Sequence, residues 1–261
     1  MQQPIGIFDS GVGGTSIWKE IHSLLPFEDT CYLADSANAP YGNKERKEIL
    51  RLSIKNTELL LEMGCKIIVV ACNTATTNAI SELRQRYNVP FIGIEPAIKP
   101  AALQTTTKNI GILATKGTLN SSLFHETSQT FASDLNVVEV IGEGLVPLIE
   151  KGALESPELL QLLEEYVAPM LAADIDHLVL GCSHYPYLIP LLKTMLPKHV
   201  QIIDSGEAVA RQTKAVLIEK NLLSSKTNSS SHSFFSNKST HILEQLLADY
   251  KEVATFQRKE F

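Results

Sequence analysis

A chain of 261 residues with 44% hydrophobic and 20% charged side chains has an ordinary globular composition and can bury one large or two medium cores. Its net charge of −6 argues against a broad nucleic-acid-binding face. No apolar run approaches the roughly 18 residues that cross a bilayer. The start, Met1-Gln2-Gln3-Pro4, lacks the basic and apolar blocks of a signal peptide. The expectation is a cytoplasmic protein with neither membrane nor nucleic acid as partner.

Four cysteines, at positions 31, 65, 72 and 182, show neither C-x-x-C spacing nor a dense framework, so a disulfide scaffold is not expected. Cys31 and Cys65 fall at strand starts and read as small core residues. The remaining two fall elsewhere.

In chain order, Ile5-Gly6-Ile7-Phe8 reads as a first buried strand. It runs into Asp9-Ser10-Gly11-Val12-Gly13-Gly14-Thr15, and Ser16 to Leu25 then takes helical spacing. The glycines permit a tight strand-to-helix turn whose backbone N–H groups can meet an anion. Thr30 to Asp35 is a second strand, followed by the polar loop Ser36 to Gly42. Asn43 is placed to cap a helix from Lys44 to Met63, which Gly64 stops. Ile67 to Ala71 is apolar and mostly β-branched, as in a strand buried on both faces. It delivers Cys72 to the start of a helix that opens Asn73-Thr74 and runs through Tyr87. Pro90 to Ile94 closes this unit as a strand. Strands alternating with helices imply a parallel α/β sheet.

From about Lys108 the pattern restarts. Asn109 to Ala114 is a strand, Thr115 to Thr118 opens a helix, Asn136 to Ile141 is a strand, and Leu145 to Glu150 follows. Ser156-Pro157 starts another helix. Asp176 to Leu180 and Val200 to Ile203 are the last strands of the unit. Gly111-Ile112-Leu113 restates Gly6-Ile7-Phe8, Cys182 restates Cys72, and Ile203-Asp204 restates Ile94-Glu95. The chain reads as a duplicated α/β unit. Glu207 to Leu223 is helical and Ser224 to Ser231 is a polar linker. Ser233 to Ser236 and Ile242 to Tyr250 look like a strand and a helix that return to the first unit. The expected domains are therefore 1–97 with 207–261, and 98–206.

Open α/β sheets bind ligands beyond the carboxyl ends of their strands. That rule gathers Asp9, Ser10, Tyr41, Gly42, Cys72, Asn73, Thr74, Thr115, Thr118, Cys182, Ser183 and His184 in one cleft. A thiol at a helix N-terminus is expected to have a depressed pKa. Asp9 and His184 are the acid–base partners within reach of Cys72 and Cys182. Two opposed bases around a small anionic molecule describe a racemase, in which one removes a proton while the other supplies one to the opposite face.

Six ordered stretches carry a resemblance: Ile5 to Gly14, Pro40-Tyr41-Gly42, Ala71 to Thr76, Gly93 to Ala97, Val146 to Glu150, and Leu180 to Pro186. Together they resemble bacterial glutamate racemase, of the aspartate/glutamate racemase superfamily. The resemblance implies interconversion of L- and D-glutamate without a cofactor, the D-isomer supplying peptidoglycan, by an enzyme that commonly forms a homodimer. By position it makes Cys72 and Cys182 the acid/base pair, the first working on the D-isomer's proton and the second on the L-isomer's. Asp9 and His184 match assisting residues, and Glu150 is either a third or a solvated helix-end acid. Asp9, Ser10, Tyr41, Gly42, Asn73, Thr74, Ser183 and His184 match substrate-contacting positions, with Thr115 and Thr118 as carboxylate binders. Position 183 is Ser where the family usually has Thr, and Gly142-Glu143-Gly144 departs from the usual run before Leu145.

Other readings stand beside this one. Gly11-x-Gly13-Gly14 with Asp35 resembles part of a dinucleotide site, although Ser16 occupies the third glycine's place. Cys72, Cys182 and His184 have the chemistry of a zinc site. A non-catalytic amino-acid sensor would need only one polar half-site.

Overall fold

The computed structural model describes residues 3–261; Met1 and Gln2, which open the segment read for a leader, lie outside the described residues. Strands β1 (Ile5–Asp9), β2 (Thr30–Ala34), β3 (Ile67–Val70) and β4 (Phe91–Gly93) build the first unit with helices α1 (Thr15–Leu24), α2 (Arg46–Glu62) and α3 (Asn73–Arg86). After α4 (Ile98–Gln104) come β5 (Asn109–Ala114), α5 (Lys116–Leu119), α6 (Ser122–Ala132), β6 (Asn136–Ile141), α7 (Leu145–Glu150), α8 (Pro157–Ala172), β7 (His177–Gly181), α9 (Ile189–Met195) and β8 (Gln201–Ile203). The chain ends with α10 (Gly206–Glu219), β9 (His232–Ser236), α11 (His241–Leu246) and β10 (Ala254–Arg258).

The strands form two sheets, ordered β10-β9-β2-β1-β3-β4 and β6-β5-β7-β8, and every pairing is parallel. The order β2-β1-β3-β4 is repeated as β6-β5-β7-β8, which is the duplication read from the sequence. The central strands β1, β3 and β7 are buried along their whole length, as their apolar runs require. Among the described residues no helix is long and apolar enough to cross a membrane.

Several local readings need correction. Residues Tyr41–Asn43 form a 3-10 turn, and α2 begins at Arg46 with Glu45 as N-cap and no side-chain cap, so Asn43 does not cap it. The 3-10 turn competes for the same residues and closes its own hydrogen bond, from Lys44 N–H to Tyr41 C=O at 3.0 Å. The segment from Ile242 to Tyr250 divides into α11 and a 3-10 turn. Strand β10 went unread because its residues, Ala254 to Arg258, are mostly exposed on a sheet edge and carry little apolar periodicity.

The returning segment is fastened by aromatic packing. Trp18 is fully buried, stacks on His22 with ring centres 5.0 Å apart, and meets His232, Phe234 and Tyr250 edge-on. Its indole N–H donates to Thr30 Oγ1 at 2.9 Å, and Thr30 Oγ1 lies 2.9 Å from His232 Nδ1. A neutral His232 fits, with Thr30 donating to Nδ1 and Nε2–H donating to Ser230 Oγ at 3.0 Å. The crossovers between the two sheets are also joined, Ser205 Oγ donating to Glu95 C=O at 2.5 Å.

Burial, with His22 alongside, lowers the pKa of His232 to about 4. A histidine held below its ordinary value contributes stability above the unfolded pKa, and loses it as pH falls toward the folded one. The urea midpoint is therefore expected to drop between pH 7 and pH 4.5. The drop should be smaller in His232→Gln, and equal slopes for the two proteins would refute this assignment.

Candidate active site

The two sheets present their carboxyl ends to each other across a cleft. β3 hands the chain through Ala71 to Cys72, the N-cap of α3, whose Sγ accepts the Ala75 N–H at 3.5 Å. β7 hands it through Gly181 to Cys182, Ser183 and His184, which precede a 3-10 turn at Tyr185–Leu188. One pocket is lined from both sides by Ser10, Pro40, Tyr41, Gly42, Cys72, Asn73, Thr74, Thr115, Val146, Cys182, Ser183 and His184. Pro40 and Val146 are additions to the residues read from the sequence. Pro40 is a ring on a loop and Val146 an aliphatic residue of α7, and neither carries a chemical signal of its own.

Asp9, Thr118 and Glu150 stand behind this lining. Asp9 is fully buried at the end of β1; Oδ2 accepts the N–H groups of Gly11 and Gly14 at 3.1 Å each, and Oδ1 accepts the Ser183 hydroxyl at 3.1 Å. Glu150 Oε1 lies 2.6 Å from His184 Nε2 and accepts the Val12 N–H at 2.6 Å, while Oε2 accepts the Ser36 hydroxyl at 3.0 Å. Glu150 is therefore not a solvated helix-end acid. The glycine turn read as an anion cradle holds the protein's own carboxylates, Asp9 and Glu150. Its glycines are also needed for space: a Cβ on Gly11 would fall 2.0 Å from Glu150 Oε1, and one on Gly13 would fall 2.2 Å from His184 Nδ1.

Charge is distributed unequally between the two halves. Burial and the neighbouring Asp9 carboxylate push the Cys72 thiol up, outweighing the Ala75 N–H and the Ser10 hydroxyl that favour thiolate. This reverses the expected depression, because a helix N-terminus acts weakly against full desolvation. On the other side burial alone would lower His184, yet hydrogen bonds to Cys182 and Glu150 hold it well above the usual histidine value. His184 Nδ1 lies 3.8 Å from Cys182 Sγ. Burial raises Asp9, opposed by His184 and by the two backbone N–H donors.

Hydroxyls join the halves. Thr74 Oγ1 is 2.8 Å from Thr115 Oγ1 and 3.3 Å from Thr118 Oγ1, and Asn78 Nδ2 donates to Gly117 C=O at 3.0 Å. Asn73, buried beside Cys72, has no hydrogen-bond partner for either amide atom among the described residues. A buried amide left unpaired is costly, and this one lines the pocket, where a polar ligand would pair it. Tyr41 is held by its hydroxyl, which donates to Asp35 Oδ2 at 2.5 Å. Asp35 also accepts from Asn38 at 2.7 Å and from Asn237 at 2.5 Å, so it is occupied inside the fold and does not serve a ribose.

A two-domain α/β protein that closes two thiols, each with its own buried acid–base neighbour, around one polar pocket has the site of a proton-transferring isomerase. Residues 14–213 match the Asp/Glu/Hydantoin racemase family model. A glutamate racemase of Ectopseudomonas mendocina is 49% identical over 226 residues, 86% of each chain. Among solved structures, Escherichia coli glutamate racemase in complex with L-glutamate and the activator UDP-MurNAc-Ala superposes with a TM-score of 0.85 at 32% identity, over 99% of this chain and 98% of that one. The Francisella tularensis glutamate racemase in complex with D-glutamate gives a TM-score of 0.84 at 26% identity, over 100% and 97%. The chain belongs to the Asp/Glu/hydantoin racemase family, in its glutamate racemase branch.

The contact of Gly13 with His184 has a measurable consequence. Gly13→Ala must displace the imidazole, and a displacement of about 1 Å at such a site costs about a hundredfold in turnover. Racemisation rates with the thermal midpoint held within a few degrees would check this, and a Gly13→Ala protein of near-normal rate would exclude the packing argument.

Proposed function

We propose that this chain interconverts L- and D-glutamate by passing protons through Cys72 and Cys182, supplying the D-isomer for peptidoglycan. The observation that carries the reading is the pair of buried thiols lining one pocket from opposite sheets, one beside Asp9 and the other beside His184. The asymmetry of charge supports a direction. Cys72 is held as the thiol, while the charged imidazole of His184 stands 3.8 Å from Cys182 Sγ. In the L-to-D direction the Cys182 thiolate removes the α-proton and becomes a thiol. Cys72 then delivers its proton to the opposite face of the planar carbanion and becomes a thiolate. The finished cycle leaves the two sulfurs in the state that starts the reverse reaction.

The other residues have supporting places in this scheme. Asp9 faces the Cys72 side, and Glu150 holds His184 in line with Cys182. The unpaired amide of Asn73 and the hydroxyls of Ser10, Thr74, Thr115 and Ser183 are available to the substrate's ammonium and carboxylates, with Tyr41 and Gly42 closing the pocket wall. Thr118 acts through Thr115, whose hydroxyl it meets at 3.0 Å. Within this reading the segment 98–206 is one body, and the chain up to residue 97 with 207–261 is the other. β9 and β10 lie beside β2, in keeping with that division. The reading also carries a cytoplasmic homodimer, for which exposed apolar side chains such as Leu103, 75% accessible, offer surface.

L-Glutamate in deuterated buffer is expected to exchange its α-hydrogen and lose optical rotation with no added cofactor. Cys72→Ser and Cys182→Ser should each lose at least about a thousandfold in racemisation, since each removes one of two obligatory proton carriers. Near-normal turnover by either variant would exclude the two-thiol scheme. The same assay with aspartate decides between the two acidic substrates.

A further inference from the structure

The catalytic pocket leaves about 10 Å³ of free space, close to what one water needs. Outside it the cleft widens into a vestibule of about 760 Å³. Pro40, Gly42, Thr115 and Val146 line both spaces and form the neck between them. The neck is tight: a Cβ on Gly42 would fall 2.8 Å from Thr115 Cβ, and one on Gly117 would fall 3.1 Å from Gly42 Cα. A molecule reaching the two thiols from the cleft mouth crosses the vestibule first, and the neck must part to admit it.

The vestibule wall carries Lys44, Arg46 and Lys116, from both sheets' units. Arg46 and Lys116 are exposed and Lys44 is half-buried. Among the described residues none of the three is in an ion pair; Arg46 Nε reaches only the Asn78 C=O at 3.5 Å. Glu45 and Glu143 also line the space, so cations outnumber carboxylates there, in a chain whose net charge is −6. Arg46 is moreover the first residue of α2, where the helix dipole disfavours a cation. Helix stability does not explain its placement.

We propose that Lys44, Arg46 and Lys116 form an entry subsite that captures an anionic amino acid by its side-chain carboxylate before the neck opens. This rests on the glutamate reading. An unpaired cationic rim beside a low-dielectric cleft raises the local concentration of an anion, and the benefit is lost as salt screens it. The subsite acts on arrival and release, not on the proton transfers, so its signature is in KM.

The test is steady-state racemisation of L-glutamate by wild type and by the triple variant K44E/R46E/K116E across ionic strength. At low salt the variant's KM is expected to rise about fivefold or more, with kcat kept within about twofold, and the gap to close near 0.5 M salt. The charge-conserving K44R/K116R protein should keep the wild-type KM. An unchanged KM in the triple variant, a rise insensitive to salt, or a loss carried equally by kcat would overturn the subsite. If the triple variant does not fold, the wild type alone decides: its KM must climb with salt, and a flat profile overturns the proposal. A wild type inert toward glutamate would instead defeat the functional reading beneath it.

Discussion

Two side chains of the second unit, Glu150 and His184, seat themselves in the glycine turn of the first. His184 lies against Gly13, Glu150 against Gly11 and Val12, and the two meet each other at 2.6 Å. The second thiol's acid–base environment is thus completed only when the two sheets are brought together. Asp9 provides the reciprocal link by accepting the Ser183 hydroxyl from across the cleft. Folding each α/β unit separately would keep the Glu150–His184 pair but leave Glu150 without the Val12 and Ser36 donors and Asp9 without the Ser183 hydroxyl. Assembly of the halves and assembly of the chemistry are the same event.

The architecture makes this possible because every strand in both sheets is parallel. Parallel pairing sends all carboxyl ends in one direction, and repetition of the order β2-β1-β3-β4 as β6-β5-β7-β8 repeats the position of the cysteine at the end of the third strand. This part was legible from residue pattern: β5 and β6 fall at the residues read, because their largely apolar, β-branched stretches are bounded by turn chemistry. The cleft residues were legible too, since polar side chains placed directly after buried strands have few structural uses.

What pattern could not supply was anything set by distant contact. The direction of the Cys72 shift depends on complete burial beside Asp9, and a helix N-terminus alone suggests the opposite sign. The occupants of the glycine turn come from residues 150 and 184, far along the chain. Asp35 looked like a ribose acid and is instead the anchor for Tyr41, with Asn237 of the returning segment as its other partner. That last contact gives the C-terminal strands a purpose beyond extending a sheet: they brace the loop that carries the pocket wall.

The hydrogen bond from Ser205 to the Glu95 carbonyl ties together the two backbone crossovers that alone connect the sheets through the chain. Two bodies joined by one strand can swivel about many axes, whereas two joined strands leave essentially one. A second tie of this kind narrows the ways in which the two sulfurs can move relative to each other. A proton relay between opposed acids tolerates little error in their separation. The tie between the crossovers thus works with the contacts of Asp9, Glu150 and His184 to fix how the two cysteines face each other.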